Sequence, residues 1–230
     1  MSAHQIRFPG ETTAYRAARD KLLEAEIELR RATENVAAQR RQLPLGGEVA
    51  EDYLFHEIIG DYGKSTKRRV RMSEMFENGK DTLILYNFMY GPDMKRPCPM
   101  CTSIIDSMDG AARHVTQRVN LAVVAKSPIE RIREFAKERG WRDVRLLSSD
   151  KSTYNRDYRG EDENGEQMPA MNVFVRQDGK IFHSWNTELM FAPREPGQDF
   201  RHVDSIWPLW NLLDVTPEGR GKNWTPKLSY

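Results

Sequence analysis

The sequence has almost no net charge and no long apolar run, and these two absences exclude several classes of protein. Lys and Arg total 35 against 34 for Asp and Glu, so the formal net charge is +1. Such a balance predicts no basic surface for nucleic acid or for an anionic membrane. No apolar run approaches the roughly 20 residues of a membrane span, and the N-terminal segment has no apolar stretch of the signal-peptide type. We therefore expect a cytoplasmic protein without a nucleic-acid or membrane partner.

Cysteine is also scarce, but its placement is informative. The chain contains two cysteines, Cys98 and Cys101, and random placement would produce so close a spacing on the order of one time in a hundred. A structural disulfide is disfavoured in a reducing compartment. This leaves a redox-active dithiol, half of a zinc site, or a pair that the fold retains without using. Zinc would need two more ligands, and the five histidines contain no closely spaced pair, so we predict no metal and no cofactor.

A long helix is expected from about Glu11 to Leu43. Small and apolar residues recur there at alternating steps of four and three, and charged residues fill the other faces. The apolar positions are Ala18, Leu22, Ala25, Leu29, Ala32 and Val36. This narrow seam suits two arrangements: packing of the helix on its own domain, or pairing with the same helix of a second subunit to form a homodimer.

Beyond this helix, strand-like segments alternate with helical segments. Two strands are apolar along nearly their whole length, as expected for strands covered on both faces, and Asp178-Gly179 marks the turn of a hairpin. Ser127 to Glu130 has the pattern of a capping box that opens a helix. The segments are strand 82–89, helix 99–114, strand 119–125, a helix from 129 to about 140, weak strand 144–147, hairpin 171–185 and an aromatic-rich stretch, 200–213.

This order predicts an α/β fold in which helices flank a mixed sheet, and it is the order of a thioredoxin fold. We divide the chain into an N-terminal helical arm over residues 1–47, a thioredoxin-like domain over 48–215 and an extended C-terminal tail over 216–230. Residues 156–167 are polar and are expected to form a loop.

The position of the dithiol in this order points to its chemistry. Cys98 follows a buried strand and precedes a helix, so unpaired N–H groups and the positive end of the helix dipole face it. A thiolate is stabilised there, and the thiolate is the nucleophilic form. Cys101 lies one turn further along the same helix. The spacing predicts that Cys98 attacks a disulfide and that Cys101 resolves the mixed disulfide.

Several motifs resemble those of the DUF899 family of thioredoxin-like proteins, which are described as predicted dithiol–disulfide oxidoreductases. They are the run LYNFMYGPD at 85–93, CPMCT at 98–102, the hairpin from Asn172 to His183, and WPLWNLLDVTPEGRG at 207–221. The resemblance covers nearly the whole chain. It implies a thioredoxin-like domain with Cys98 as nucleophile and Cys101 as resolving cysteine, acting on a protein or small-molecule thiol or disulfide.

The resemblance also suggests residues around the dithiol. Thioredoxin folds place a cis-proline just before the third strand, and Pro169 is the candidate here, with an ordinary loop proline as the alternative. The residues flanking the cysteines are the candidates for contact with substrate or for support of the thiols. They are Pro97, Pro99, Met100 and Tyr90.

Two other functions stay open. A peroxide-reducing peroxiredoxin shares the fold, but its motif has Thr or Ser three residues before the reactive cysteine and Pro four residues before that, where this chain has Lys95 and Gly91. A non-catalytic thioredoxin-fold module that binds partners through its helical arm and aromatic tail is the other alternative.

Some further residues could serve either the site or the core. The aromatic side chains of the C-terminal third are expected mainly to pack, with an apolar lip over the dithiol as the alternative. They are Trp185, Phe191, Phe200, Trp207 and Trp210. Asp106 on the dithiol helix could transfer protons or serve as a capping or solvated carboxylate. His183 could face the cysteines or form an ordinary hydrogen bond.

Overall fold

The predicted alternation of strands and helices is present in the computed structural model, which describes residues 6–60, 66–193, 195–196, 201–221 and 224–229. The helices are α1 (Thr13–Arg41), α2 (Pro99–Val115), α3 (Ile129–Arg139), α4 (Tyr154–Asp157) and α5 (Pro208–Asp214). The strands are β1 (Leu54–Ile59), β2 (Thr66–Arg71), β3 (Thr82–Asn87), β4 (Asn120–Ala125), β5 (Arg145–Ser148), β6 (Ala170–Gln177) and β7 (Lys180–Asn186). Short 3₁₀ helices cover Met72–Met75, Glu188–Phe191 and Arg201–Val203.

The chain forms two compact units, residues 1–44 and 45–230. The first unit contains α1, and its long helix confirms the sequence prediction. Thr12 is the N-cap, and its hydroxyl oxygen accepts a hydrogen bond from the Tyr15 N–H at 3.1 Å, which satisfies one of the free amide groups of the first turn. The helix continues for 29 residues without Gly or Pro, the two residues that most disfavour helix interiors.

The second unit is built on one seven-stranded sheet in the order β2-β1-β5-β4-β3-β6-β7. The three strands at its centre, β5, β4 and β3, are parallel, and the pairs on both sides of them are antiparallel. The α2 helix connects β3 to its parallel neighbour β4, and the β6–β7 hairpin lies on the other side of β3. A strand–helix–strand unit followed by an antiparallel hairpin and a final helix, α5, is the arrangement of a thioredoxin-like fold.

Each face of the sheet carries its own hydrophobic core, as the two continuously apolar strands predict. On one face, α2, α3 and α5 pack against residues such as Tyr86 and Val123 in the first cluster of buried residues. On the other face, Leu85 and Val124 join a second cluster with Tyr154 and side chains of residues 53–76. Successive residues of β3 therefore point to opposite cores, as the period of two of a strand requires.

Two tight turns contain consecutive residues with positive φ, and one of them is the predicted hairpin turn. Asp178 and Gly179 join β6 to β7 with φ values of 51° and 79°. Asn78 and Gly79 precede β3 with φ values of 54° and 69°. Positive φ at both central residues belongs to the turn type whose twist matches that of antiparallel strands, and Asn, Asp and Gly tolerate it best.

The capping box predicted at the start of α3 is wrong. Pro128, and not Ser127, is the N-cap, and no side chain caps this end of the helix. The buried Ser127 hydroxyl donates to the carbonyl oxygen of Gly91 at 2.9 Å instead. The sequence pattern predicted the start of the helix correctly. The Ser127 hydroxyl, however, bonds to a carbonyl distant in sequence and does not cap the helix.

The residues after α5 run along the domain. Arg220 is paired with the carboxylates of Asp204 and Asp214 at 2.9 and 2.8 Å. The Leu228 carbonyl accepts a hydrogen bond from Arg139 at 3.1 Å. Within the part of the chain that the structure describes, no helix combines the length and the apolar character that crossing a membrane requires.

Candidate functional site

The predicted dithiol lies at the end of β3, where the chain passes into α2. Cys98 is the N-cap of α2 with extended backbone angles, φ −59° and ψ 125°, and Pro99 occupies the first turn. Pro suits this position because its missing N–H would have had no partner within the helix. The Cys101 backbone N–H donates to the Cys98 sulfur at 3.5 Å. The Cys98 thiol therefore occupies the position that serine or aspartate takes at an ordinary N-cap.

Hydrogen bonding to the Cys98 sulfur stabilises its thiolate. The pKa of Cys98 falls from 9.0 to about 6, first because the Cys101 thiol donates a hydrogen bond to it. Burial opposes this fall, and the backbone N–H groups of Cys101 and Met100 add to it. With a pKa of about 6, roughly nine-tenths of Cys98 is thiolate at pH 7, against a few per cent for an ordinary thiol.

Cys101 has the opposite environment. Its side chain is buried, with 2% of its surface exposed. The pKa of Cys101 is raised well above 9.0, first by its hydrogen bond to Cys98 and then by burial. Both cysteines are free thiols in this structure. One half-buried thiolate and one buried, protonated thiol, one helical turn apart, form a pair in which the first can attack and the second can follow.

The loop between β3 and Cys98 is held by Arg131 of α3 and by Ser127, two residues before that helix. The Cys98 N–H donates to the Met89 carbonyl at 3.1 Å. Ser127 donates its backbone N–H to the Tyr90 carbonyl at 2.9 Å, in addition to the hydroxyl bond to Gly91. Arg131 donates to the Pro92 carbonyl at 2.6 Å. These bonds satisfy loop carbonyls and position the turn that carries Cys98.

The four residues predicted around the cysteines fall into two groups. Pro97 and Tyr90 are buried, while Pro99 is exposed and Met100 is partly exposed. The Tyr90 ring lies beneath the Arg131 guanidinium, 4.8 Å from ring centroid to Cζ, so Tyr90 supports the loop from inside. Of these four residues, Pro99 and Met100 are therefore the two that an approaching molecule can touch.

Pro169 lies close to the end of β3, but in the trans form. It directly precedes β6, whose first residue, Ala170, is paired with Asn87 at the end of β3. No described peptide bond is cis. Two residues earlier, the Gln167 side chain packs against the Cα of Gly91, where an added Cβ would meet it at 3.0 Å. The segment before β6 therefore borders the dithiol loop without the cis-proline of the sequence-based expectation.

The aromatic side chains of the C-terminal third mainly pack in the core. Trp207 and Trp210 are buried in the cluster that contains Cys101, and the Trp207 indole N–H donates to the Ser103 hydroxyl of α2 at 3.1 Å. Trp185 is partly buried against the same cluster, whereas 46% of Phe191 is exposed. Phe200 lies outside the described residues. The packing role that we expected is therefore the main one.

Asp106 and His183 also take structural positions. Asp106 accepts hydrogen bonds from the Trp141 indole N–H, at 2.7 Å, and from Arg139, so it ties α2 to the end of α3. His183 shares a hydrogen bond of 3.0 Å between its Nε2 and the Asn172 side-chain oxygen, and burial lowers its pKa. Its ring contacts Tyr158 on the face opposite α2. The histidine therefore forms an ordinary, partly buried hydrogen bond, as the second expectation for it states.

A cavity of about 930 Å³ lies beside His183 and does not include the dithiol. It is lined by Tyr158, Asn172, Asn186 and the 3₁₀ helix Glu188–Phe191, among others. No group of three or more potential metal ligands occurs among the described residues.

Three residues of the site have no counterpart in the sequence-based candidate set. Ser127 and Arg131 hold the dithiol loop, and Tyr86 of β3 points to the core that contains Cys101. Only the strand pattern could have identified Tyr86, because even-numbered residues of β3 face the dithiol helix. Ser127 and Arg131 are remote in sequence from the cysteines, and their contacts arise from the packing of α3.

Comparison with solved structures finds several proteins of low sequence identity. AhpC of Enterococcus faecalis is 14% identical with a TM-score of 0.46, covering 79% of this chain and 98% of that one. Thioredoxin peroxidase I of Plasmodium yoelii is 19% identical with a TM-score of 0.47, covering 78% and 100%. A putative thioredoxin reductase of Burkholderia cenocepacia is 11% identical with a TM-score of 0.46, covering 67% and 89%. The chemistry proposed below rests on this chain's own residues.

Comparison of the sequence with curated proteins finds no match. A family model described as "Bacterial protein of unknown function (DUF899)" matches residues 2–230. The motifs around the dithiol, in the β6–β7 hairpin and over residues 207–221 suggest this family, and the match over nearly the whole chain confirms it. The chain belongs to the DUF899 family.

Proposed function

We propose that this protein is a thiol–disulfide oxidoreductase in which Cys98 is the nucleophile and Cys101 the resolving cysteine. The observation that carries the proposal is the Cys98 thiol at the N-terminus of α2, with a pKa of about 6, one turn from a buried Cys101 thiol. A thiolate at neutral pH and a protonated partner within the same turn are the two components that disulfide exchange needs.

The reaction proceeds in two exchanges. The Cys98 thiolate attacks one sulfur of a substrate disulfide, the substrate S–S bond breaks, and one substrate thiolate leaves and takes a proton from solvent. Cys101 then loses its proton and attacks the Cys98 sulfur of the mixed disulfide. The Cys98–Cys101 disulfide forms and the second substrate thiolate leaves. The substrate is reduced by two electrons and the protein is oxidised by two.

The shape of the site indicates how a disulfide reaches Cys98. The thiol is partly exposed and Cys101 is not, so an external sulfur meets Cys98 first. Pro99 and Met100 form the apolar surface beside it. We propose a protein or small-molecule disulfide as substrate, and the cytosol, where glutathione and thioredoxin keep thiols reduced, as the compartment.

The test is a redox titration of the pair against glutathione, read by thiol alkylation and mass spectrometry. We expect an intramolecular Cys98–Cys101 disulfide with a potential between about −120 and −270 mV, the range of known dithiol oxidoreductases. A Cys98→Ser variant is the control, because it cannot form this bond. If no Cys98–Cys101 disulfide forms at any ratio of reduced to oxidised glutathione, the proposal is wrong.

The same protein preparation distinguishes the two alternatives. If the protein is a peroxide reductase, stoichiometric hydrogen peroxide should oxidise its cysteine pair far faster than it oxidises free cysteine. Lys95 and Gly91, which stand in place of the peroxiredoxin motif residues, argue against this function. A binding module without redox function would retain its partner in a Cys98→Ser/Cys101→Ser double variant. An oxidoreductase would lose its mixed disulfide in that variant.

A further inference from the structure

Tyr86 places a phenol beside the resolving cysteine. It lies on β3, one residue before the end of the strand, and its side chain points to the face covered by α2. The neighbouring residues Leu85 and Asn87 point to the other face, where Leu85 joins the second core. Tyr86 and Cys101 belong to the same buried cluster, with 1% and 2% of their surfaces exposed. Tyr86 on the strand and Cys101 in the first turn of α2 therefore face the same core, in the layer between the sheet and the helix.

The Tyr86 hydroxyl is an unsatisfied hydrogen-bonding group. It is buried, and among the residues that the structure describes no partner satisfies it. A buried hydroxyl without a partner costs about 1–3 kcal/mol, so such a group in the core suggests a use that the resting state does not show. The Cys101 sulfur is the group that can act on it: after burial, the charge of Cys101 is the next cause of the raised pKa of Tyr86.

The resolving step needs a hydrogen-bond donor beside the Cys101 sulfur, and the Tyr86 hydroxyl can be that donor. Cys101 must become a thiolate in order to attack, and burial together with the hydrogen bond to Cys98 raises its pKa. Once Cys98 is in a mixed disulfide, the negative charge of its own thiolate is gone and the charge has to form on Cys101. A donor beside that sulfur stabilises the charge at the moment of attack. Tyr86 keeps its own proton throughout, because burial raises its pKa well above 10.0.

We propose that the Tyr86 hydroxyl donates a hydrogen bond to the Cys101 sulfur and stabilises its thiolate during resolution. The inference rests on the proposed oxidoreductase function and adds a third residue to it. In this step the Cys101 proton passes to solvent, the Cys101 thiolate forms a bond to the Cys98 sulfur, and the outgoing thiolate takes up a proton. Tyr86 is not consumed and is not a base; its hydrogen bond strengthens as the sulfur gains charge.

Ellman's reagent tests the proposal with the full chain, because it separates attack from resolution. Attack by Cys98 releases one equivalent of nitrothiobenzoate and leaves the second as a mixed disulfide, and resolution by Cys101 releases that second equivalent. In Tyr86→Phe we expect an unchanged first phase and a second phase slowed about tenfold, as loss of one hydrogen bond to a charged group implies. The midpoint of the pH dependence of the second phase should rise.

The matched control is Tyr154→Phe. Tyr154 is also fully buried with a hydroxyl that lacks a partner among the described residues, but it belongs to the core on the opposite face. It should leave both phases unchanged. Equal second-phase rates in Tyr86→Phe and wild type would overturn the role of Tyr86 while leaving the dithiol chemistry intact. A wild-type protein that releases only one equivalent and never forms the Cys98–Cys101 disulfide would instead overturn the proposed function.

A second variant covers the case in which Tyr86→Phe does not fold. 3-Fluorotyrosine inserted at position 86 keeps the ring and the hydroxyl and makes the hydroxyl a stronger donor. We expect it to speed the second phase relative to wild type without altering the first. A second phase at the wild-type rate or slower would contradict the proposal.

Discussion

Replacing Cys101 by Ala tests the main cause of the Cys98 thiolate. In the wild-type protein the Cys101 thiol donates to the Cys98 sulfur, and this bond is the first cause of the fall in the pKa of Cys98 to about 6. Alanine removes the donor and keeps the backbone N–H groups at the start of α2. We therefore expect the pKa of Cys98 to rise in Cys101→Ala but to stay below that of a free thiol.

The size of this rise follows from the strength of the bond. A hydrogen bond to a charged group contributes about 1.5–3 kcal/mol, and one pKa unit corresponds to 1.36 kcal/mol, so the pKa of Cys98 should rise by about 1–2 units. At pH 6 the thiolate fraction then falls from about one half to a few per cent. A thiolate of higher pKa is a better nucleophile, with a Brønsted slope of about 0.4–0.5, which partly offsets the loss.

The assay is the pH dependence of iodoacetamide alkylation at Cys98, followed by mass spectrometry. In Cys101→Ala alkylation should be about threefold slower at pH 6 and about fivefold faster at pH 9, where Cys98 is fully ionised in both proteins. The two pH profiles should therefore cross. Cys101→Ser is the matched control, since its hydroxyl can still donate, and its midpoint should stay near that of wild type. Coincident profiles for wild type and Cys101→Ala would refute the reasoning and leave the backbone of α2 as the whole cause.

Three further predictions concern the support of the site and the helical arm. Ser127→Ala removes the donor to the Gly91 carbonyl and should lower the free energy of unfolding in urea by about 1–3 kcal/mol; an unchanged value would show that the loop is held without it. Asp106→Ala removes the acceptor of the Trp141 indole N–H and should cost about 1–3 kcal/mol, with Asp106→Asn costing less; a shifted alkylation midpoint would instead reveal a role in proton transfer. We also propose a homodimer through the seam of α1, which light scattering should show and Leu29→Glu should disrupt; a monomeric wild-type protein would rule the dimer out.

Much of the second unit could be predicted because its signals are local. The strands β3 and β4 are short apolar runs, the β6–β7 turn carries Asp-Gly, and α3 ends at Gly140 with φ 78°. Each feature depends on the conformational preferences of a few consecutive residues. Their order then leaves few topologies, since a parallel strand–helix–strand connection is almost always right-handed. The start of α3 departs from the predicted capping box because the Ser127 hydroxyl donates to the distant Gly91 carbonyl and does not accept a hydrogen bond from a helix N–H.

The sequence by itself determined the position of the dithiol: an apolar strand, a break and a proline in the first turn place Cys98 at the start of α2, where the thiolate is stabilised by free N–H groups. Only the tertiary structure decided what surrounds it. Ser127 and Arg131 reach the loop from the chain before and within α3, and Tyr86 and Cys101 enter the same core from the strand and the helix. The hydrogen bonds of Ser127 and Arg131 join residues distant in sequence, and side-chain hydrogen bonds of that kind are set by how helices pack on a sheet and leave no periodic pattern in the chain.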